Sequence, residues 1–259
     1  MTDAHALVPR GLGPVAVLFF AFLYLPILIL LVLSFNANEQ ATIWTGFSTA
    51  WYGRVLGNGD ILKAAGNSLT VAASASLMGT ALALLAALGL KGRSSRPLMA
   101  LVSLPLLVPE IVTAVASLLL FVLIGLPLGL ATVVLAHTVF CIPFAFLPIR
   151  ARLQGMDPLL GDAAHDLYAT PLRAFLRVTL PLLWPGILSG LMLAFIISLD
   201  DFVITYFVAG AGATTLPVYI FGMIRIGVTP EVNAVSAMML VVSIAFVTLS
   251  WIVARRGSA

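Results

Sequence analysis

Three carboxylic acids stand where carboxylic acids are costly. Glu110, Asp200 and Asp201 interrupt apolar runs in a 259-residue chain that is 61% hydrophobic and only 9% charged. Hydrocarbon cannot solvate an ionised group, so an acid in such a run faces a bundle interior, a water-filled cavity or a solute path. No Lys or Arg lies within the same runs, which leaves water, another subunit or a cationic solute as the partner. Carboxylates replace part of the hydration of an ammonium group, and the ring faces of Tyr206 and Tyr219 add cation–π attraction. These five residues form the candidate substrate pathway for a small cationic solute. Local alternatives stay open. Glu110 follows Pro109, so it either faces the path or caps a broken half-helix and complements its dipole. Asp200 and Asp201 are neighbours, about 100° apart on a helix, so one can face solute while the other meets a helix partner.

Other chemistries find little support. The chain has no Gly-x-x-x-x-Gly-Lys-[Ser/Thr] loop, so it does not itself hold ATP. His5, His137 and His165 lie in different regions without metal-ligand spacing. A serine protease built on His137 and Ser189 would need the two side chains within hydrogen-bond reach. The segment around Ser189 reads Gly-Ile-Leu-Ser-Gly, whose small residues fit close helix packing better than catalysis. Cys141 is the only cysteine and reads as packing. A net charge of +3 gives no sign of nucleic-acid binding.

The elements that position the acids follow from hydropathy. A mean hydropathy of +1.14 and so few charges make lipid the solvent. Six runs reach the roughly 20 apolar residues a crossing helix needs: 15–33, 69–90, 98–124, 128–147, 187–208 and 234–254. The first is too long for the apolar core of a signal peptide and has no small-x-small site after it, so it reads as a retained helix. Six crossings put Arg10, Lys91, Arg93, Arg96, Arg150, Arg152, Arg173, Arg177, Arg255 and Arg256 on one side, and Arg54, Lys63 and Arg225 on the other. The positive-inside rule then places both termini in the cytoplasm. With straight helices, Glu110 lies about 20 Å beyond Pro97 and Asp200 about 21 Å beyond Gly186, at similar depth. Trp44, Trp51 and Tyr52 fall in the outer connection 36–68, as interface anchors or as a docking surface. Residues 216–224 are apolar but too short to span, and suit a re-entrant or interfacial helix.

The inner connection 150–185 carries a denser signal. Asp157-Pro158 is a helix start, and Pro171 after Thr170 is a second. Two short helices joined near Ala169-Thr170 are expected, with small Ala163 and Ala164 and the apolar knob Leu167 on the first. On its own this is an amphipathic surface helix. However, Asp162-Ala163-Ala164 at its start and Val178-Thr179-Leu180-Pro181 at its end resemble the EAA loop of ABC importer permeases. That pattern runs Glu-Ala-Ala, three residues, Gly, nine residues, Ile-x-Leu-Pro. Asp162 here replaces the glutamate and Tyr168 replaces the glycine. WTGFSTAWY at 44–52, SLDDFV at 198–203, GATTLP at 212–217 and GVTPEVNA at 227–234 are similar to the second permease of spermidine/putrescine importers.

The resemblance implies an all-α integral membrane protein of the type I ABC importer permease fold. It implies one transmembrane domain over residues 1–259 with six helices, in the bacterial inner membrane. Its function would be to pass polyamines, or another small cationic solute such as an opine or amino-acid-like compound. Implied partners are a homologous permease, two ATP-binding subunits, a periplasmic solute-binding protein and membrane lipid. No cofactor sits on this chain; ATP and Mg belong to the ATPase. Asp162, Ala163, Ala164, Asp166, Leu167, Tyr168, Ala169, Thr170 and Pro171 would form the coupling helix against that ATPase. A stand-alone secondary transporter, the alternative, would need internal repeats and its own ion site; no convincing repeat is present.

Overall fold

The computed structural model describes residues 12–40, 43–91, 95–157 and 159–256. They form α1 (Leu12–Leu33), α2 (Ala50–Gly57), α3 (Gly59–Gly89), α4 (Arg96–Leu107), α5 (Glu110–Leu123), α6 (Leu130–Gln154), α7 (Leu159–Asp166), α8 (Pro171–Ala174), α9 (Leu180–Asp200), α10 (Val203–Val208), α11 (Leu216–Ile226) and α12 (Pro230–Arg256). A π-turn at Phe175–Thr179 joins α8 to α9. Among the described residues the only β pairing is an isolated bridge between Asn36 and Phe47. Helices dominate because a helix satisfies its backbone polar groups internally, which hydrocarbon demands. Five helical runs are long and apolar enough to cross a bilayer, and α4 with α5 makes a sixth if that bent pair is one span.

The fold departs from six straight rods at three places, each with a local cause. Pro109 pushes Val108 into extended backbone (φ −85°, ψ 131°), and α4 and α5 then diverge by 105°. The span expected over 98–124 is therefore broken, and its depth cannot be measured as one helical rise. Asp201 is also extended (φ −65°, ψ 128°), so the run 187–208 stops at Asp200 and restarts as α10. At its other end this run begins far earlier than hydropathy indicates. Pro171 to Asp200 is one continuous helical run, and the second cytoplasmic helix expected after Thr170 is its first turn. Pro181 has no N–H, and its ring collides with the carbonyl four residues back. The wider π-turn lies immediately before it and gives that ring room.

The chain divides into two compact units. One contains residues 1–58 and 222–241. Here α1 exposes Phe19, Phe20, Phe22 and Tyr24, while the segment after it is tied around buried Asn36. The Asn36 amide donates to the Ile43 carbonyl at 2.7 Å and accepts from Thr45 N–H at 3.1 Å. Trp51 donates its indole N–H to the Asn36 carbonyl at 2.8 Å, and Tyr52 bonds Ser34 at 2.6 Å. Trp51 and Tyr52 are thus spent inside this knot; Trp44 stays half exposed.

The second unit holds residues 59–221 and 242–259, with α3, α6 and α9 packed against one another. Glycine permits the close approach: a Cβ on Gly190 would lie 2.7 Å from the Ala145 carbonyl oxygen, and one on Gly79 3.1 Å from the Cys141 side chain. Cys141, Ala145, Phe146, Ile149, Leu183 and Ala194 fill one core cluster at this junction. A second gathers Val71, Ala114, Val133, Ile204 and Val208 around α5, α6 and α10.

Candidate functional site

Both helix breaks lead to one cavity. The α4–α5 break places Glu110 in the first turn of α5, and the α9–α10 break places Asp200 and Asp201 at a joint. All three acids line a cavity of about 370 Å³ with Phe140, Ile196, Ile197, Phe202 and Val203. Glu110 and Asp201 thus face the same space. Like charges in one small cavity repel, and a cation entering it relieves that repulsion. The helical angle between Asp200 and Asp201 does not apply, since the helix ends between them. Asp200 is exposed and Asp201 is buried, yet both reach the same space.

Asp201 owes its position to a buried network. Its Oδ1 accepts from Thr205 N–H at 3.0 Å and from the Thr205 hydroxyl at 3.3 Å, and Oδ2 accepts from Ile204 N–H at 3.4 Å. These bonds satisfy donors at the start of α10 that have no partner within the helix. His137 Nε2 lies 3.1 Å from the same Oδ1 and 2.9 Å from Thr205 Oγ1, while Nδ1 lies 2.8 Å from Ser198 Oγ. The acid therefore caps a half-helix and lines the cavity at once. Ser198, His137 and Asp201 share the residue types of a hydrolytic triad, but Ser198 is buried and offers no accessible nucleophile. Ser189, set aside as a nucleophile on sequence grounds, donates to the Pro185 carbonyl at 2.8 Å.

The two tyrosines separate. Tyr206 packs on Phe202 at 5.2 Å and on Phe221 at 6.0 Å between ring centroids, adjoining the acids through Phe202. Tyr219 lines a different, smaller cavity of about 150 Å³ with Asp60, Lys63, Asn67, Gly212 and Thr214. There the Asn67 amide ties the loop before α11 by donating to the carbonyls of Gly212 at 3.0 Å and Thr214 at 2.9 Å. Among the described residues no group of three or more His, Cys, Asp or Glu is placed to hold a metal ion.

The coupling segment forms a short helix, α7, and a sharp exit. Leu167 N–H bonds Ala163 O at 3.2 Å and Ala169 N–H bonds Ala164 O at 3.0 Å, a bond spanning five residues that closes a helix through a left-handed residue. That residue is Tyr168, at φ 57°, in the position the motif gives to glycine. Tyr168 is 94% and Leu167 82% exposed, while Ala164 is buried. Asp166 is exposed on the last turn, and Thr170 precedes the helix that Pro171 starts. Pro158 and the side chain of Asp162 lie outside the described residues.

Residues 79–256 match the family model described as the binding-protein-dependent transport system inner membrane component. The chain belongs to this family. It is a transport component, not an enzyme. The permease is 43% identical over 231 residues to the putrescine transport system permease protein PotI of Escherichia coli (strain K12), covering 85% of this chain and 82% of that one. It is 38% identical over 242 residues to the spermidine/putrescine transport system permease protein PotC of Haemophilus influenzae, covering 92% and 94%. Among solved structures, a bacterial ABC transporter involved in import of the acidic polysaccharide alginate superposes with a TM-score of 0.73 at 18% identity, over 95% of this chain and 93% of that one. The inward-facing methionine transporter MetNI gives 0.65 at 19%, over 76% and 95%. The permease thus has the type I ABC importer fold and is an inner-membrane, multi-pass protein. Sequence reasoning missed His137 as the partner of Asp201. A lone histidine in an apolar run carries one usable signal, the cost of burying an imidazole without partners.

Proposed function

We propose that this permease passes putrescine or spermidine across the bacterial inner membrane as one subunit of an ATP-driven importer. The observation that carries the reading is the identity to PotI and PotC across nearly the whole chain. The cavity supports it chemically. Glu110, Asp200 and Asp201 give an ammonium group three acceptors, and Phe140, Phe202 and the adjoining Tyr206 give it ring faces. Tyr219 contacts solute at a separate point along the path.

The permease pairs with a homologous permease, two ATP-binding subunits carrying ATP and Mg, and a periplasmic solute-binding protein. Both termini face the cytoplasm in this reading, which the segregation of basic residues supports. The segment from Asp162 to Pro171 sits against the ATPase, with Leu167 and Tyr168 as its exposed tip. Because Pro171 to Asp200 is one helical run, a push on this tip travels along a stiff rod to the acids at its far end. ATP-driven closure of the ATPases thereby opens the path outward, and hydrolysis resets it.

The test is ATP-dependent uptake of labelled putrescine and spermidine by the reconstituted complex, with Glu110→Gln and Asp200→Asn alongside. Native uptake is expected, with each variant reduced about tenfold or more, the cost of losing one charge-assisted contact. A competent complex that takes up neither amine would move the solute to another class of small compound. Unimpaired variants would remove the acids from the path.

A further inference from the structure

His137 lies in α6, outside the set of cavity-lining residues, and is 1% exposed. It does not line the cavity, yet both of its ring nitrogens are engaged. One arrangement of protons satisfies every atom: the Ser198 hydroxyl donates to Nδ1, Nε2–H donates to Asp201 Oδ1 and Thr205 Oγ1, and the Thr205 hydroxyl donates to Asp201 Oδ1. The two ends of the ring then do different work. The Nδ1 end is anchored to α9 through Ser198, and the Nε2 end reaches the acid.

The acid needs such a hold because it sits at a joint. The helix before it has ended, the helix after it has not begun, and its backbone is extended. A carboxylate there, close to Glu110, is pushed away by its neighbour unless donors fix it. Two backbone N–H groups of α10 and the Thr205 hydroxyl hold it from its own side of the break. His137 is the donor from a different helix, and it ties the break to the α3–α6–α9 core.

We infer that His137 is a positioning residue for transport: through Nε2 it fixes the Asp201 carboxylate at the cavity shared with Glu110 and Asp200, and so keeps ATP hydrolysis productive by retaining the amine delivered there. The inference rests on the polyamine reading above.

Amide substitutions separate the two ends of the ring. His137→Asn places its amide near Nδ1, keeping Ser198 and losing the reach to Asp201. His137→Gln places it near Nε2 and keeps a donor for Asp201. The measurement is putrescine imported per ATP hydrolysed by the reconstituted complex with saturating loaded binding protein. A merely structural defect lowers import and hydrolysis together and leaves this ratio unchanged. The ratio is expected to fall about tenfold in His137→Asn, as for a lost charge-assisted hydrogen bond, and to stay within about threefold of native in His137→Gln. Equal effects of Asn and Gln, or an unchanged ratio in Asn, would overturn the inference. Should His137→Asn fail to assemble, His137→Leu decides: it fills a similar volume with no donor for Asp201, and a ratio unchanged there overturns the inference equally. Absence of amine uptake by the native complex would instead sink the polyamine reading, and this role for His137 with it.

Discussion

Tyr168 holds a backbone conformation that costs an L-residue about 1–2 kcal/mol relative to right-handed helix. Glycine has no Cβ and adopts it freely. The ring of Tyr168 is almost wholly exposed, so nothing packed within this chain offsets that cost. Tyr168→Gly is therefore expected to stabilise the purified permease by about 1 kcal/mol, read as a higher thermal midpoint, and Tyr168→Val to lower it. A fall with glycine would mean that the ring contributes packing that exceeds its strain. Residue type alone made the acids legible, because charge in an apolar run is conspicuous. Which acid points where was not legible. The angle of about 100° between Asp200 and Asp201 assumes a continuous helix, and the helix stops between them because of one extended residue that no periodicity marks.

At the scale of elements, apolar length locates the spans and proline accounts for much of their interruption. Pro109 breaks one span and Pro171 starts another run well before its apolar stretch begins. Hydropathy misses that early start because residues 171–179 carry Arg173 and Arg177, although the helix beneath them is continuous. The glycines of the α6–α9 contact were readable as small residues, but their necessity is a matter of distance. A methyl group at Gly190 meets backbone rather than a flexible side-chain end, so Gly190→Ala must move a helix and is expected to cost about 1–3 kcal/mol. Gly66 in α3 has nothing within 4 Å of an added Cβ. There Gly66→Ala is expected to be neutral or to stabilise by up to about 1 kcal/mol through helix propensity. Thermal midpoints of the two purified variants compare them directly; equal shifts would show that the α6–α9 approach is not limited by contact at Gly190.

For the molecule as a whole, direction in the membrane comes from charge rather than from shape. Ten of the thirteen basic residues fall on one side of a six-span reading, although Arg10 and Arg93 lie outside the described residues. The negative surface of the cytoplasmic leaflet retains Lys and Arg near helix ends, so the asymmetry argues for cytoplasmic termini even though two spans are broken. Broken spans could upset it in one way: if α4 and α5 entered and left on the same side, every later connection would change sides. Then Arg150, Arg152, Arg173 and Arg177 would lie opposite Arg10. A cysteine-labelling experiment distinguishes the two arrangements, with buried Cys141 replaced by serine to clear the background. An impermeant maleimide is expected to label Glu39→Cys in intact spheroplasts and Asp157→Cys only after permeabilisation. Labelling of both from outside would make the bent α4–α5 pair a re-entrant element. The segment from Asp162 to Pro171 would then face away from any cytoplasmic ATPase, and its coupling role would fail with the topology.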